Sequence, residues 1–283
     1  MPAAAADPSR LDKVLRLIQL RSKLCLLVFL FCLCLLGPVP VQGEEIEPGT
    51  LRPDIVRTIF SGKEVMQYSI SWTGGIKIGD LVLELSRDKG RGFVIRAKVT
   101  DYGLFRLFYP VDDDFITFVS REGKLPYRYQ VIQREGRGRE TTRLSRYDQD
   151  SLLVRYRKND MPEQVFPVAG PVHNEFSSFY VTRAMSLQPG VSFMVPTFAD
   201  KKRNEVKVEV REREDIDSLF GRVRTVPVMP VMKFKGLYDK AGDTVIWLTD
   251  DLCRVPVRIR SKILIGSLTA DLVEYSNPAC GRY

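Results

Sequence analysis

The stretch from Val257 to Ile265 constrains this chain more than any other. Val257, Ile259, Ser261, Ile263 and Ile265 recur at every second position, and Arg258, Arg260 and Lys262 fill places between them. A period of two with one oily and one basic side belongs to a half-buried antiparallel strand. Just upstream, Val245, Trp247 and Thr249 alternate with Thr244, Ile246 and Leu248. The turn formers Asp250 and Asp251 separate the two runs. Tyr238 to Tyr275 therefore reads as successive strands with one greasy and one basic face.

The same period runs back through the chain. Met66, Tyr68, Ile70 and Trp72 form one strand, Gly74-Gly75 a turn, Leu81, Leu83 and Leu85 a second strand, and Phe93, Ile95, Ala97 and Val99 a third. Their short connections argue for a meander rather than parallel βαβ units. Further strands are expected at Phe115 to Val119, Tyr127 to Gln133, Glu140 to Tyr147, Leu152 to Lys158, Glu205 to Arg211 and Arg222 to Lys235. Asp101 to Pro110 breaks the alternation with a plug of Leu104, Phe105, Leu107 and Phe108. Between Pro171 and Gly190 the apolar spacing changes to three and four, which predicts a helix of three to four turns near 174–187. Asn174 stands as its N-cap and Gly190 as its terminator. The fold expected is all-β and mainly antiparallel, a curved sheet closing partly or fully into a barrel, with one amphipathic helix across an open end or face. Two β lobes joined near Pro162 to Pro171 is the alternative.

The first 43 residues read as a leader. Arg10, Lys13, Arg16, Arg21 and Lys23 precede an unbroken apolar run from Leu24 to Leu36, and Val41-Gln42-Gly43 resembles a small-residue cleavage site. Thirteen residues make about 20 Å of helix, short for a hydrocarbon core of ~30 Å. The expectation is a signal peptide over 1–43, an arm over 44–61 with at most a short helix around Asp54 to Phe60, and a single β-rich domain over 62–283. The location expected is the periplasm, with an uncleaved N-terminal anchor as the alternative, and the mature chain is not expected to span the membrane. Cys25, Cys32 and Cys34 would leave with the leader, and the remaining pair, Cys253 and Cys280, suggests one disulfide. Loss of five basic and two acidic residues leaves 38 against 33. That mild excess suits anionic envelope lipid better than nucleic acid, which is not expected as a partner.

Several runs resemble a bacterial family catalogued as domain of unknown function 3108: GKEVMQYSISWTGGIKIGDLVLEL at the entry, YPVDDDF, LPYRY, SSFYVTRAMSLQPG, and VIWLTDDLCRVPVRIRSKILIGSLTADL as the most specific. They span Gly62 to about Tyr275. The resemblance implies an exported envelope protein of Gram-negative bacteria and one continuous fold. It supplies no catalytic residues. The family tends to place an acidic cap where this chain has His173-Asn174.

The chemistry is sparse. His173 is the sole histidine, and no Gly-x-Ser-x-Gly elbow precedes a helix, so no catalytic constellation is found and an enzyme is not expected. No cofactor or metal is called for. Asp112, Asp113 and Asp114 at one expected turn and Asp250 with Asp251 at another would form a calcium or acid–base site only if those turns met. Trp72, Phe105, Phe108, Phe176, Phe179, Tyr180 and Trp247 supply enough aromatic surface to line a pocket for an acyl chain or other hydrophobic ligand, or else simply to fill the core. Arg258, Arg260 and Lys262 form a basic face suited to protein partners or anionic lipid. Arg134, Arg137, Arg139, Arg143 and Arg146 crowd a hairpin, as an anion site or as the wet face of an exposed sheet. The leading expectation is an exported non-enzymatic protein that binds a hydrophobic or amphiphilic envelope component. An envelope assembly factor and a carboxylate-dependent hydrolase of cell-wall glycan stand behind it.

Overall fold

The computed structural model describes residues 49–283 apart from 104–105, 108, 123, 137, 139, 232–243, 264–265 and 282. The leader, Phe105, Phe108, Arg137, Arg139 and Ile265 lie outside the described residues. A short helix α1 (Pro53–Ile59) is the first element among the described residues, with proline in its first turn, where the missing N–H costs nothing. It buries Ile55 and Ile59, so this part of the arm is built into the core.

Eight strands follow as a meander: β1 (Glu64–Trp72), β2 (Ile76–Asp88), β3 (Gly92–Asp101), β4 (Val111–Ser120), β5 (Pro126–Glu135), β6 (Glu140–Asp148), β7 (Leu153–Lys158) and β8 (Gln164–Pro167). After helix α2 (Glu175–Arg183) come β9 (Ser192–Ala199), β10 (Lys202–Val210), β11 (Glu214–Ser218), β12 (Gly221–Val231), β13 (Thr244–Thr249), β14 (Pro256–Lys262) and β15 (Ser267–Ser276). All strand pairings are antiparallel, and β1 pairs with both β2 and β15. The two halves thus become one sheet, ordered β8-β7-β6-β5-β4-β3-β2-β1-β15-β14-β13-β12-β10-β9, with β11 on β12.

Register shifts sharpen the curvature at Gln67/Tyr68, Ile70/Ser71, Phe118/Val119 and Trp247/Leu248. Gly79 lies beside the second of these. A Cβ there would sit 2.4 Å from the Thr100 carbonyl oxygen, so only glycine lets β2 and β3 approach at the bend.

The sheet is curved and does not close. Its edges are β8 and β9, and the segment between β8 and α2 crosses the gap. Val168 donates to the Leu152 carbonyl on one side, while His173 exchanges backbone bonds with Pro196 and Phe198 on the other. Gln149 holds the middle, donating to the Val172 carbonyl and accepting from the Val172 amide. Phe198 packs at 6.1 Å from Tyr147 and 5.9 Å from Phe166, closing the seam with rings where a ladder is missing.

Helix α2 runs inside this curl and is shorter than the spacing predicts. Its N-terminus carries the expected cap: the Asn174 side chain accepts from the Ser177 amide and the Ser177 hydroxyl accepts from the Asn174 amide. It ends at Arg183 because the next residues bond the segment before α1 instead. Arg52 donates to the Ala184 carbonyl, and Ser186 donates to Thr50. Gly190 lies beyond that pairing and terminates nothing helical.

The tail is tied down by the disulfide expected from the sequence, Cys253–Cys280, with Cα atoms 5.9 Å apart. Closing a loop of that length contributes roughly 3–4 kcal/mol by the chain-entropy account.

Candidate functional site

Both ends of α2 are bolted to the sheet. At the start, the Asn174 amide group donates to the Thr117 hydroxyl of β4 at 2.7 Å, in a buried setting. At the end, Arg183 makes a bidentate pair with Glu64 of β1, at 2.7 and 2.8 Å, and donates to the carbonyls of Arg254 and Cys253. Burial opposes the Arg183 charge, but Glu64 outweighs it and raises the guanidinium above its ordinary pKa. Glu64 also accepts from the Tyr275 hydroxyl, so one buried carboxylate joins β1, α2 and β15.

Between these anchors, one face of α2 looks onto an apolar cavity of about 220 Å³. Phe176 and Phe179 roof it, and Leu83, Val206, Val208 and Ile246 are among its walls. The walls come from both halves of the sheet, so the cavity exists only because the halves curl toward each other. A second cavity, of about 170 Å³, lies beside the seam and is polar: Tyr129, Arg143, Tyr147, Asp200 and Lys201 line it. Glu175 lines both. Its Oε2 is buried with no hydrogen-bond partner. Burial pushes its carboxyl up to about 7, against Arg143, which works to lower it. A carboxyl poised near neutrality at the junction of a polar and an apolar space is the most chemically distinctive group of the interior.

The polar side continues along the inner face of β4 to β6. Gln133 donates to Asp113 at 3.0 Å and accepts from Arg143, which faces the polar cavity. Burial raises the Asp113 carboxyl above its ordinary pKa.

The residues singled out by sequence divide into three groups. Phe176 and Phe179 line the apolar cavity. Tyr180 is fully buried and turns to the other side, against Phe60 with ring centroids at 6.1 Å, so it fills core instead of lining a pocket. Trp72 and Trp247 line a different space, a groove shared with Arg258 and Arg260. Trp247 lies on the opposite face of β13 from Thr244 and Ile246, and its indole N–H donates to Glu214. Strand alternation takes it out of the site. Within the basic face, Arg258 is paired with Asp271 at 2.5 Å, while Arg260 and Lys262 are exposed.

The three aspartates do not form a turn. Asp112, Asp113 and Asp114 belong to β4. Asp113 points inward to Gln133, while Asp112 and Asp114 point outward, to Lys98 and to Lys98 with Arg134. Asp250 pairs with Arg213 and Arg254, and Asp251 accepts from the Cys253 and Arg254 amides of its own turn. Among the described residues no three His, Cys, Asp or Glu side chains gather as metal ligands would. Sequence reading missed Glu175, because an acid in a helix's first turn is ordinary. Its only flag is that two phenylalanines and a buried cap surround it.

A curved open sheet wrapped around one helix, with a cavity between them, defines the class: a β-barrel-like protein. The chain belongs to the family described as protein of unknown function (DUF3108), whose profile matches residues 67–273. Among solved structures it is similar to the crystal structure of a β-barrel-like protein of domain of unknown function DUF1849 from Brucella abortus. The TM-score is 0.53 and the identity 11%, over 76% of this chain and 98% of the other. At that identity the likeness concerns fold alone. Comparison with curated proteins returns no match. No helix among the described residues is long and apolar enough to cross a membrane.

Proposed function

We propose that this chain is an exported, non-enzymatic periplasmic protein that binds an amphiphilic envelope component inside its curled sheet. The observation that carries the reading is the apolar cavity under Phe176 and Phe179 that shares Glu175 with a polar cavity at the seam. An apolar cavity alone could be a packing defect. A buried carboxylate oxygen left without a hydrogen-bond donor costs roughly 1–3 kcal/mol or more, and a ligand group that donates to it recovers that cost. The apolar part of the ligand occupies the larger cavity, and a hydroxyl or amine meets Glu175. At about 220 Å³ the apolar space is below the usual ~300–1,000 Å³ of small-molecule pockets and accommodates one short chain segment. The leader, read as a signal peptide, supports the location.

Native mass spectrometry of protein taken from its own envelope fraction tests the proposal directly. A co-purified small amphiphile supports it, whereas a stoichiometric protein adduct favours an assembly role. Uptake of the neutral fluorophore N-phenyl-1-naphthylamine supplies a second readout. Val206→Phe, which fills the cavity, abolishes the fluorescence gain, and equal uptake by this variant and the parent refutes the assignment.

A further inference from the structure

A third cavity of different character lies just past the C-terminal end of α2. It measures about 340 Å³, and Arg52, Arg213 and Arg254 line it together with Ser186 and Gln188. The three arginines come from separate parts of the chain: the residue before α1, the connection from β10 to β11, and the loop closed by the disulfide. Arg254 is 5% exposed, and its Nε is buried with no hydrogen-bond partner. Its Nη1 reaches Asp250 at 3.2 Å, and Arg213 uses the other oxygen of that carboxylate at 2.6 Å. Arg52 is held by Asp54 at 3.1 Å and by a second, shorter bond. Asp251 is spent on its own turn and on the Tyr283 hydroxyl.

A guanidinium carries five N–H donors and cannot shed its charge under any physiological condition. Burial, and the proximity of Arg52 and Arg213, lower the Arg254 pKa, while Asp250 and Asp251 oppose this. The backbone fixes Arg254 in place: its amide donates to Asp251 and its carbonyl accepts from Arg183. It also sits at φ 45, a left-handed conformation that costs a non-glycine residue of order 1 kcal/mol or more. Three guanidiniums share the carboxylates of Asp250 and Asp54 around this polar cavity, and the buried Arg254 Nε still has no acceptor.

We propose that the Arg52–Arg213–Arg254 cavity binds a phosphoryl group, whose oxygens accept from guanidiniums on three sides. Free phosphate and a phosphomonoester lipid headgroup present the same chemistry, and two arms of one experiment separate them. In the first, inorganic phosphate is titrated into the purified chain at constant ionic strength and followed by calorimetry. In the second, the chain is sedimented with phosphatidylcholine vesicles with and without phosphatidic acid. Arg213→Ala and Arg52→Gln are the variants, both at partly exposed positions, with melting curves run alongside to confirm that they fold. Saturable phosphate binding, weakened at least tenfold in either variant, supports a free-phosphate site. Vesicle binding that depends on phosphatidic acid and is lost in the variants supports a headgroup site. Absence of both, or binding that the variants leave unchanged, overturns the proposal. The apolar cavity lies elsewhere, so neither result depends on the reading given for it.

Discussion

Arg183 and Glu64 show how much one pair of residues can decide. Both side chains are almost wholly inaccessible, at 1% and 0% exposure, and among the described residues each has its charge partner in the other. A buried pair of this kind adds little over a well-packed apolar pair, but removing one member strands the other charge at a cost of roughly 3–5 kcal/mol. Arg183→Met is therefore expected to lose stability in that range by urea denaturation. The double variant Glu64→Leu, Arg183→Met is expected to lose less. A single variant within about 1 kcal/mol of the parent would show that the pair does not anchor the helix.

Glu175 and His173 make a second prediction at this scale, because they pull stability in opposite directions with pH. The Glu175 carboxyl is raised from 4.5 to about 7, so between those values the folded chain keeps a proton that the unfolded chain has lost. Stability from this group falls as pH rises through that window, by at most about 3 kcal/mol. Burial lowers His173 from 6.5 to about 4, so there the unfolded chain holds the extra proton and stability rises with pH. In the parent the two slopes offset each other. Glu175→Gln leaves the rise alone and His173→Gln leaves the fall alone, and urea midpoints measured from pH about 4 to about 8 separate them. Parallel profiles for the two variants would contradict the placement of both groups.

Among the elements, α2 carries the consequences of these contacts, since it is a short helix inside a sheet that holds it mainly by its ends. Asn174 does two jobs there: it caps the helix, and its amide group bonds Thr117 on β4. Asn174→Ala removes both and leaves the Thr117 hydroxyl buried, so a loss of about 1–3 kcal/mol is expected. Replacement by Asp keeps the cap but not the donor to Thr117 and should fall between the two. Thermal melts of the three proteins check the order, and equal melting for alanine and parent would remove Asn174 from the anchoring scheme.

The strands were legible wherever side chains alternate cleanly, as in β13 and β14, because burial on one side imposes a period of two. The short α1 near Asp54 was legible too, from local residues alone. Asp112–Asp114 misled because consecutive aspartates favour turns locally. In β4 they are tolerated because Lys98 and Arg134 receive the outward pair and Gln133 the inward one. The early end of α2 was hidden for another reason: Thr50 and Arg52, more than 130 residues upstream, take the bonds that would have continued it. Likewise little that is local marks Glu175, beyond its cap and phenylalanine neighbours, and nothing local marks the three arginines, whose meaning comes from segments far apart in the chain.

For the molecule as a whole, the decisive fact is that one sheet curls round until its ends nearly meet. Its middle is a continuous ladder through β2, β1, β15 and β14, in which every strand has two neighbours. Its ends are β8 and β9, joined by one parallel bridge from His173 to Thr197, the strap through Val168 and Val172, and the rings of Phe166, Tyr147 and Phe198. Opening the seam breaks few backbone bonds, whereas opening the middle unfolds the protein, so local openings concentrate at the ends. The polar cavity is lined by Tyr147, Phe198, Asp200 and Lys201, which places its mouth at this seam and leads inward past Glu175. On the proposed binding role, an amphiphile would enter by parting β8 from β9. Hydrogen exchange read by mass spectrometry should find peptides from β7, β8 and β9 exchanging orders of magnitude faster than those from β1, β2 and β15. N-phenyl-1-naphthylamine should slow exchange in β9 and the first turn of α2 while leaving β1 unchanged. Protection in β8 and β9 equal to that in β1 would mean that the seam stays shut, and a ligand would then need another way in.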